Sequence, residues 1–309
     1  MSVVSFVGPP GLLTGGLTDA ATGRFVRTQL TTQNADGSTV TLPGETVDMI
    51  RAFEMREEYG TYDNALLEAV RAGKEHDVSI LLKMGASPNF ATTADPPIPV
   101  LYIAAARGYE RVCDVLLAAG ANVNGGDTTD TSPLVAASYR GHINTVNNLI
   151  AAGARINFPN GSYPDSPLCT AAENNHLDVV RALIAAGADV NYQNMLQDNI
   201  LNWILSFWEP GITFRDPPDP DVINELIQHG ADVNYRRPNT GDTPLMNAAC
   251  VGNPVIVRML LDHGADPRAR NVDGYDAVRM SQETMRGIDN LWPRQAEQYR
   301  EIFRMIRNA

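Results

Sequence analysis

The chain has few cysteines, few aromatic residues and no excess of positive charge. Its three cysteines, Cys113, Cys169 and Cys250, are odd in number and far apart, with no CxxC pair and no zinc-type spacing. A disulfide framework is therefore not expected, and a reducing compartment is. Lys and Arg total 24 against 36 Asp and Glu, a formal charge of −12. That balance argues against a nucleic-acid binder, which needs a basic face for the phosphates. Long apolar runs are also missing. The strongest, Ile200 to Trp208, contains Asn202 and Ser206 and is too short to span a bilayer. Met1 to Gly16 is apolar but has no basic start and is broken by Pro9-Pro10, so no secretory leader and no membrane insertion are expected. The expectation is a soluble, cytoplasmic protein.

Signatures of chemistry are missing as well. There is no HExxH, and the glycine-rich Gly11 to Gly16 lacks the Lys-Ser/Thr that completes a phosphate-cradling loop. The acidic stretches Asp216 to Asp221 and Gly126 to Asp130 lack the twelve-residue calcium-loop spacing with its closing Glu. Four of the five histidines fall at regular positions: His142 and His176 after one kind of turn, His229 and His263 before another. Their regularity points to structure, and His76 reads as solvated. No catalytic residue, metal or cofactor is expected, and the chain is not read as an enzyme.

What is present is a repeat. A Gly-Ala pair recurs at Gly85, Gly120, Gly153, Gly187, Gly230 and Gly264, with glycine spacings of 35, 33, 34, 43 and 34 residues. Around it stand Ala119-Gly-Ala-Asn-Val-Asn124, Ala186-Gly-Ala-Asp-Val-Asn191 and His229-Gly-Ala-Asp-Val-Asn234. About twenty residues earlier come Ser132-Pro-Leu134, Ser166-Pro-Leu168 and Thr243-Pro-Leu245. A hydroxyl followed by proline starts a helix, because the hydroxyl caps free amides and proline fits the first turn. Gly108, Gly141, Asn175 and Gly252 follow, where that helix ends and the chain reverses. A second helix comes next; in the fourth unit Val179, Val180, Leu183 and Ile184 share its face. The recurring glycine then ends it in a left-handed conformation.

Helix, tight turn, helix and projecting turn at this period resemble the ankyrin repeat. The resemblance covers roughly residues 61–309 and seven units, the first and last degenerate, with Asn64-Ala-Leu66 and Asp276-Ala-Val278 replacing Thr-Pro-Leu. It implies a mainly α fold, an α-solenoid of helix-turn-helix units with projecting β-turn loops. The segment 291–307 reads as an amphipathic capping helix with Tyr299, Ile302, Phe303 and Ile306 on one side. Residues 1–60 match no repeat. Gly23 to Leu30 and Ser38 to Leu42 read as strands around Asn34 to Gly37. Glu45 to Tyr59 reads as a helix with Val47, Ile50 and Phe53 inward, so the segment is expected to be a small hairpin-and-helix cap.

The fifth unit departs from the pattern. It lacks Thr-Pro, having Asn199-Ile-Leu201, and its nine extra residues fall between its helices in the Pro/Gly-rich stretch 208–220. Trp208, Phe214 and Arg215 there are interface residue types, whereas Trp203 reads as core.

The resemblance further implies protein binding through a concave face, at the residues ending the first helices and in the turns before them. On the helices these are Arg71 and Ala72, Ala106 and Arg107, Tyr139 and Arg140, Glu173 and Asn174, Ser206 and Phe207, and Cys250 and Val251. The turns add Thr129, Thr131, Tyr163, Asp165, Met195, Asp198, Asn239, Asp242 and Tyr275. The surface so defined is basic in units one to three and aromatic and apolar toward units five and six. Residues 61–267 carry 12 basic and 23 acidic side chains, net −11, which suggests a partner with a basic face. The expected function is a non-catalytic interaction protein, monomeric or weakly oligomeric, acting as inhibitor, immunity protein or adaptor. The alternative is an effector or targeting protein whose residues 1–60 form a separate module positioned by the array.

Overall fold

A computed structural model describes residues 31–33, 39–41, 44–125, 132–157, 166–194, 197–206, 217–288 and 293–309. Two short strands, β1 (Thr31–Gln33) and β2 (Thr39–Thr41), pair antiparallel with Thr32 opposite Val40. The paired strand thus lies closer to the turn than the expected 23–30, which falls outside the described residues. Helix α1 (Gly44–Tyr59) follows.

The remaining described helices form two rows. The first comprises α2 (Tyr62–Arg71), α4 (Val100–Ala106), α6 (Pro133–Tyr139), α8 (Pro167–Glu173), α10 (Ile200–Ser206), α12 (Pro244–Val251) and α14 (Ala277–Ile288). The second comprises α3 (Glu75–Lys83), α5 (Glu110–Ala118), α7 (Ile143–Ala151), α9 (Leu177–Ala185), α11 (Pro220–Gln228), α13 (Pro254–Asp262) and α15 (Pro293–Asn308). Each helix packs on its neighbours along its own row, and all units but the fifth also pair their two helices closely. This is the mainly α solenoid that the period implies.

The repeated residues create the repeated contacts. Ser132, Ser166 and Thr243 accept hydrogen bonds from Val135 N, Cys169 N and Met246 N, capping α6, α8 and α12. Thr61 caps α2 in the same way through Asn64 N. Unit five is capped too: Asn199 Oδ1 accepts from Asn202 N at 2.8 Å, so the missing Thr-Pro is replaced by another good cap. The leucines that follow these starts, Leu66, Leu134, Leu168, Leu201 and Leu245, are fully buried together with Leu101 of α4. In the second row Val78, Val146, Val180, Ile223 and Val257 close the core from the other side. A buried side chain of this size contributes roughly 1.5–3 kcal/mol, so one column of leucines outweighs any single polar contact.

Asparagines ending the Gly-Ala-x-Val/Ile-Asn stretches bind successive units together. Asn191 donates from Nδ2 to Gly230 O at 2.9 Å and accepts Asp232 N at 2.8 Å. Asn157 does the same with Gly187 and Asp189, and Asn234 with Gly264 and Asp266. The histidines tie the other end. His176 Nε2 donates to Tyr139 O at 3.1 Å, and its ring lies where a Cβ on Gly141 would fall, 2.6 Å from Nδ1. Gly141 also has φ +71°, so any other residue there is excluded twice over. His263 acts differently: Nδ1 donates to Met259 O, ending α13, while Nε2 accepts from Gln228 Nε2 in the unit before.

The C-terminal helix repeats this logic with a different residue. Tyr299 of α15 stands over Gly252 as His176 stands over Gly141, and its hydroxyl donates to Cys250 O at 2.6 Å. Burial raises the phenol pKa above its usual value, with Cys250 adding to the effect. With Ile302 and Ile306 also buried and α13 and α14 as neighbours, α15 occupies the second-row position of the last unit.

Helix α1 packs on α2 and α3, but not as the sequence pattern suggests. Phe53 is 48% exposed and Val47 and Ile50 are only half-buried, whereas Ala52 is buried and Met55 lies against the core. The inward face is partly ionic. Arg51 Nε lies 2.6 Å from the buried Asp77, and His76 Nε2, expected in solvent, lies 3.2 Å from Asp48.

Candidate partner-binding face

In units one to three the ends of the first-row helices expose one or two residues just before the reversing turn. In unit one, Arg71 and Ala72 are exposed; in unit two, Arg107 is exposed and Ala106 half-buried. In unit three both Tyr139 and Arg140 are exposed. Tyr139 shows 49% of its surface although it is a large aromatic side chain. The Arg140 guanidinium lies over its ring at 5.3 Å, a cation–π contact that holds both side chains at the surface. Glu173 and Asn174 of unit four are half-buried and partly engaged: Glu173 Oε2 accepts from Trp203 Nε1 at 3.4 Å, and Asn174 Nδ2 donates to Thr170 O. Trp203 thus bridges units four and five and packs against the core.

The turns behave differently from what their register implies. Asn239 is exposed. Asp198 is 3% exposed, because both of its carboxylate oxygens are held by the Arg237 guanidinium, Nη2 donating to Oδ2 at 2.8 Å. Arg237 Nη2 also donates to Ser206 Oγ at 3.2 Å. Asp198 is therefore a structural anion that fixes the unit-six turn against unit five, and no partner can reach it. Asp242 is half-buried and accepts from Asn271 Nδ2 at 2.9 Å and Thr240 Oγ1 at 2.6 Å. Its carbonyl takes Asn202 Nδ2, while Asn202 Oδ1 takes Asn247 Nδ2, so it too is committed within the array. Val251 is buried, and Cys250 and Ser206 are half-buried. Tyr275 is half-buried beneath Arg279, 4.3 Å from the ring centre.

Tyr163, Asp165, Met195, Phe207, Trp208, Phe214 and Arg215 lie outside the described residues, as do Thr129 and Thr131. The structure therefore brings together Arg107, Tyr139 and Arg140 on neighbouring units and removes Asp198 and Val251 from the surface. Register reasoning does not select Arg236, Arg270 and Val272, which are exposed on the turns of units six and seven. Arg236 donates to Arg270 O, and Val272 is 67% exposed. A valine in a projecting turn carries no periodic signal that would mark it.

Among the described residues no group of His, Cys, Asp and Glu is arranged to hold a metal ion, and no helix is long and apolar enough to cross a membrane. Cys113 and Cys169 are buried free thiols. Burial first, then Asp114, pushes the Cys113 thiol up to about 12, the opposite of a reactive cysteine.

Comparison with known proteins agrees with this geometry. A family model described as ankyrin repeats matches three times, over residues 66–160, 101–194 and 216–281. Among solved structures the chain is similar to the human ASB11 ankyrin repeat domain, with a TM-score of 0.59 and 24% identity over 71% of this chain and 96% of that one. A search of curated proteins found no match.

Proposed function

Because the chain belongs to the ankyrin-repeat family, whose members are generally protein–protein interaction modules and typically non-catalytic, we propose that it binds a protein partner through the first-row face of its array. The observation that carries this reading is Tyr139, left half in solvent beside Arg140 at the centre of units one to five. Tyrosine and arginine are the side chains that most often dominate interfaces. The acidic array, net −11 over residues 61–267, favours a partner whose broader surface is basic. Inhibitor, immunity protein and adaptor are the roles that suit such binding. Residues 1–60 act as a cap on the array at 61–309, a division supported by the Arg51–Asp77 and His76–Asp48 pairs that fasten α1 to α3. The buried free thiols suit a cytoplasmic location, and the protein acts as a monomer or weak oligomer.

The test is capture of the native partner with wild-type and Tyr139→Ala baits, identified by mass spectrometry and measured with the purified protein. Tyr139→Ala is expected to weaken the complex by about 2 kcal/mol while leaving the melting temperature unchanged. Equal affinity for the two baits overturns the assignment of this face.

A further inference from the structure

We propose that units one to three hold an extended acidic segment of the partner along a column of arginines. The inference rests on the protein-binding reading and adds the chemistry of what is bound. Arg107 and Arg140 occupy the same register position, immediately before Gly108 and Gly141, and Arg71 stands two residues before Gly73. All three are exposed. Arg71 is paired with Glu68 at 2.6 Å. Arg107 gives one Nη1 hydrogen to Arg71 O, a carbonyl at the end of α2, which anchors it while its side chain stays exposed. Arg140 is fixed by the Tyr139 ring. Among the described residues neither Arg107 nor Arg140 has a carboxylate partner. Two anchored guanidiniums without counter-charges, on an array of the opposite net charge, form a local site for anions.

Spacing selects the kind of anion. Neighbouring packed helices lie about 8–10 Å apart, and an extended chain rises about 3.3 Å per residue. Carboxylates at every third residue of an extended segment therefore meet successive arginines. Of the 24 basic residues only Lys74 and Lys83 are lysines, and the column is wholly arginine, whose planar fork matches a carboxylate with two parallel hydrogen bonds. The exposed Tyr139 ring offers apolar contact beside the column. Glu173 and Asn174 take these positions in unit four, and the Glu173 carboxylate ends the column by repelling further acidic residues.

The test uses the full chain and a fluorescent synthetic peptide of about nine residues, with Glu at its first, fourth and seventh positions and small neutral residues between. Wild type is expected to bind it, to bind less well a peptide with the same three Glu adjacent, and to ignore the peptide with Lys in their place. Arg107→Gln with Arg140→Gln is expected to weaken binding by at least about tenfold, and Arg140→Gln alone by less. Arg268→Gln, on the unit-seven turn, leaves it unchanged. Equal affinity of the double variant, no preference for Glu over Lys, or no binding by wild type overturns the proposal. If the native partner is lost with Tyr139→Ala but kept by the double arginine variant, the column falls and the protein-binding reading stands. If peptide binding depends on the arginines while partner affinity is unmoved by Tyr139→Ala, the column stands and the assignment of the Tyr139 face falls.

Discussion

Ser138 shows what a single misplaced polar atom does in a repeat. It is fully buried in α6, its hydroxyl has no hydrogen-bond partner among the described residues, and Ala105, Ala172 and Ala249 fill the same register position in units two, four and six. An unsatisfied buried hydroxyl costs about 1–3 kcal/mol, so Ser138→Ala should stabilise the protein by about 1 kcal/mol, read as a higher urea midpoint. A lower midpoint would mean that the hydroxyl has a partner in solution. Cys113 in α5 gives a pH dependence. Below pH 9 folded and unfolded chains both keep its proton; above that the unfolded thiol ionises while the buried one, at about 12, does not. The unfolded state then binds fewer protons, and stability falls as pH rises from 9 toward 12, by about 1.4 kcal/mol per pH unit. Urea midpoints at pH 8.5 and 10.5 should show a smaller decline for Cys113→Ala than for wild type. Parallel declines would show that Cys113 is not protected.

At the scale of elements, the asparagine ladder determines how well one unit holds the next. Asn191 spans the junction of units four and five despite the nine-residue insertion, satisfying Gly230 O and Asp232 N together. Asn191→Ala removes both hydrogen bonds and should cost about 1–2 kcal/mol, measured by thermal or urea unfolding; a loss below about 0.5 kcal/mol would mean that water replaces them. This ladder is legible in the sequence as a motif, and so are the helix starts at Ser132, Ser166 and Thr243 and the reversals at Gly108 and Gly141. Each depends on residues within a few positions of one another. What depends on distant partners is not legible. Asp198 resembles any solvated turn aspartate until Arg237, far along the chain, closes on it. Arg51 resembles a surface arginine until α1 meets Asp77, which is why the apolar pattern points Phe53 inward and the fold turns it outward. The candidate face is half legible: Arg107, Tyr139 and Arg140 stand where register puts them, while Asp198 and Val251 do not.

For the whole molecule, a stack in which each unit meets only its neighbours is as cooperative as its weakest junction. The insertion makes the junction of units four and five the one to question. It is held at the turn by Asn175, which takes the left-handed position that glycine fills elsewhere, with φ 58°. Its Nδ2 donates to Pro217 O at 3.0 Å, and its Oδ1 accepts Asp219 N at 2.9 Å, just where Asp219 caps α11. Glycine fits this backbone without strain, so Asn175→Gly removes only the two side-chain bonds, about 2 kcal/mol of coupling. The tryptophans, at positions 203, 208 and 292, all lie on the C-terminal side of this junction, whereas helical circular dichroism reports on both sides. In wild type the two signals should follow one urea transition. In Asn175→Gly they should separate, tryptophan fluorescence and helicity changing at different midpoints as the halves unfold apart. If the two curves still coincide and only shift together, the junction is carried by α8 against α10 and α9 against α11, and the insertion is a loop that the array tolerates without relying on it.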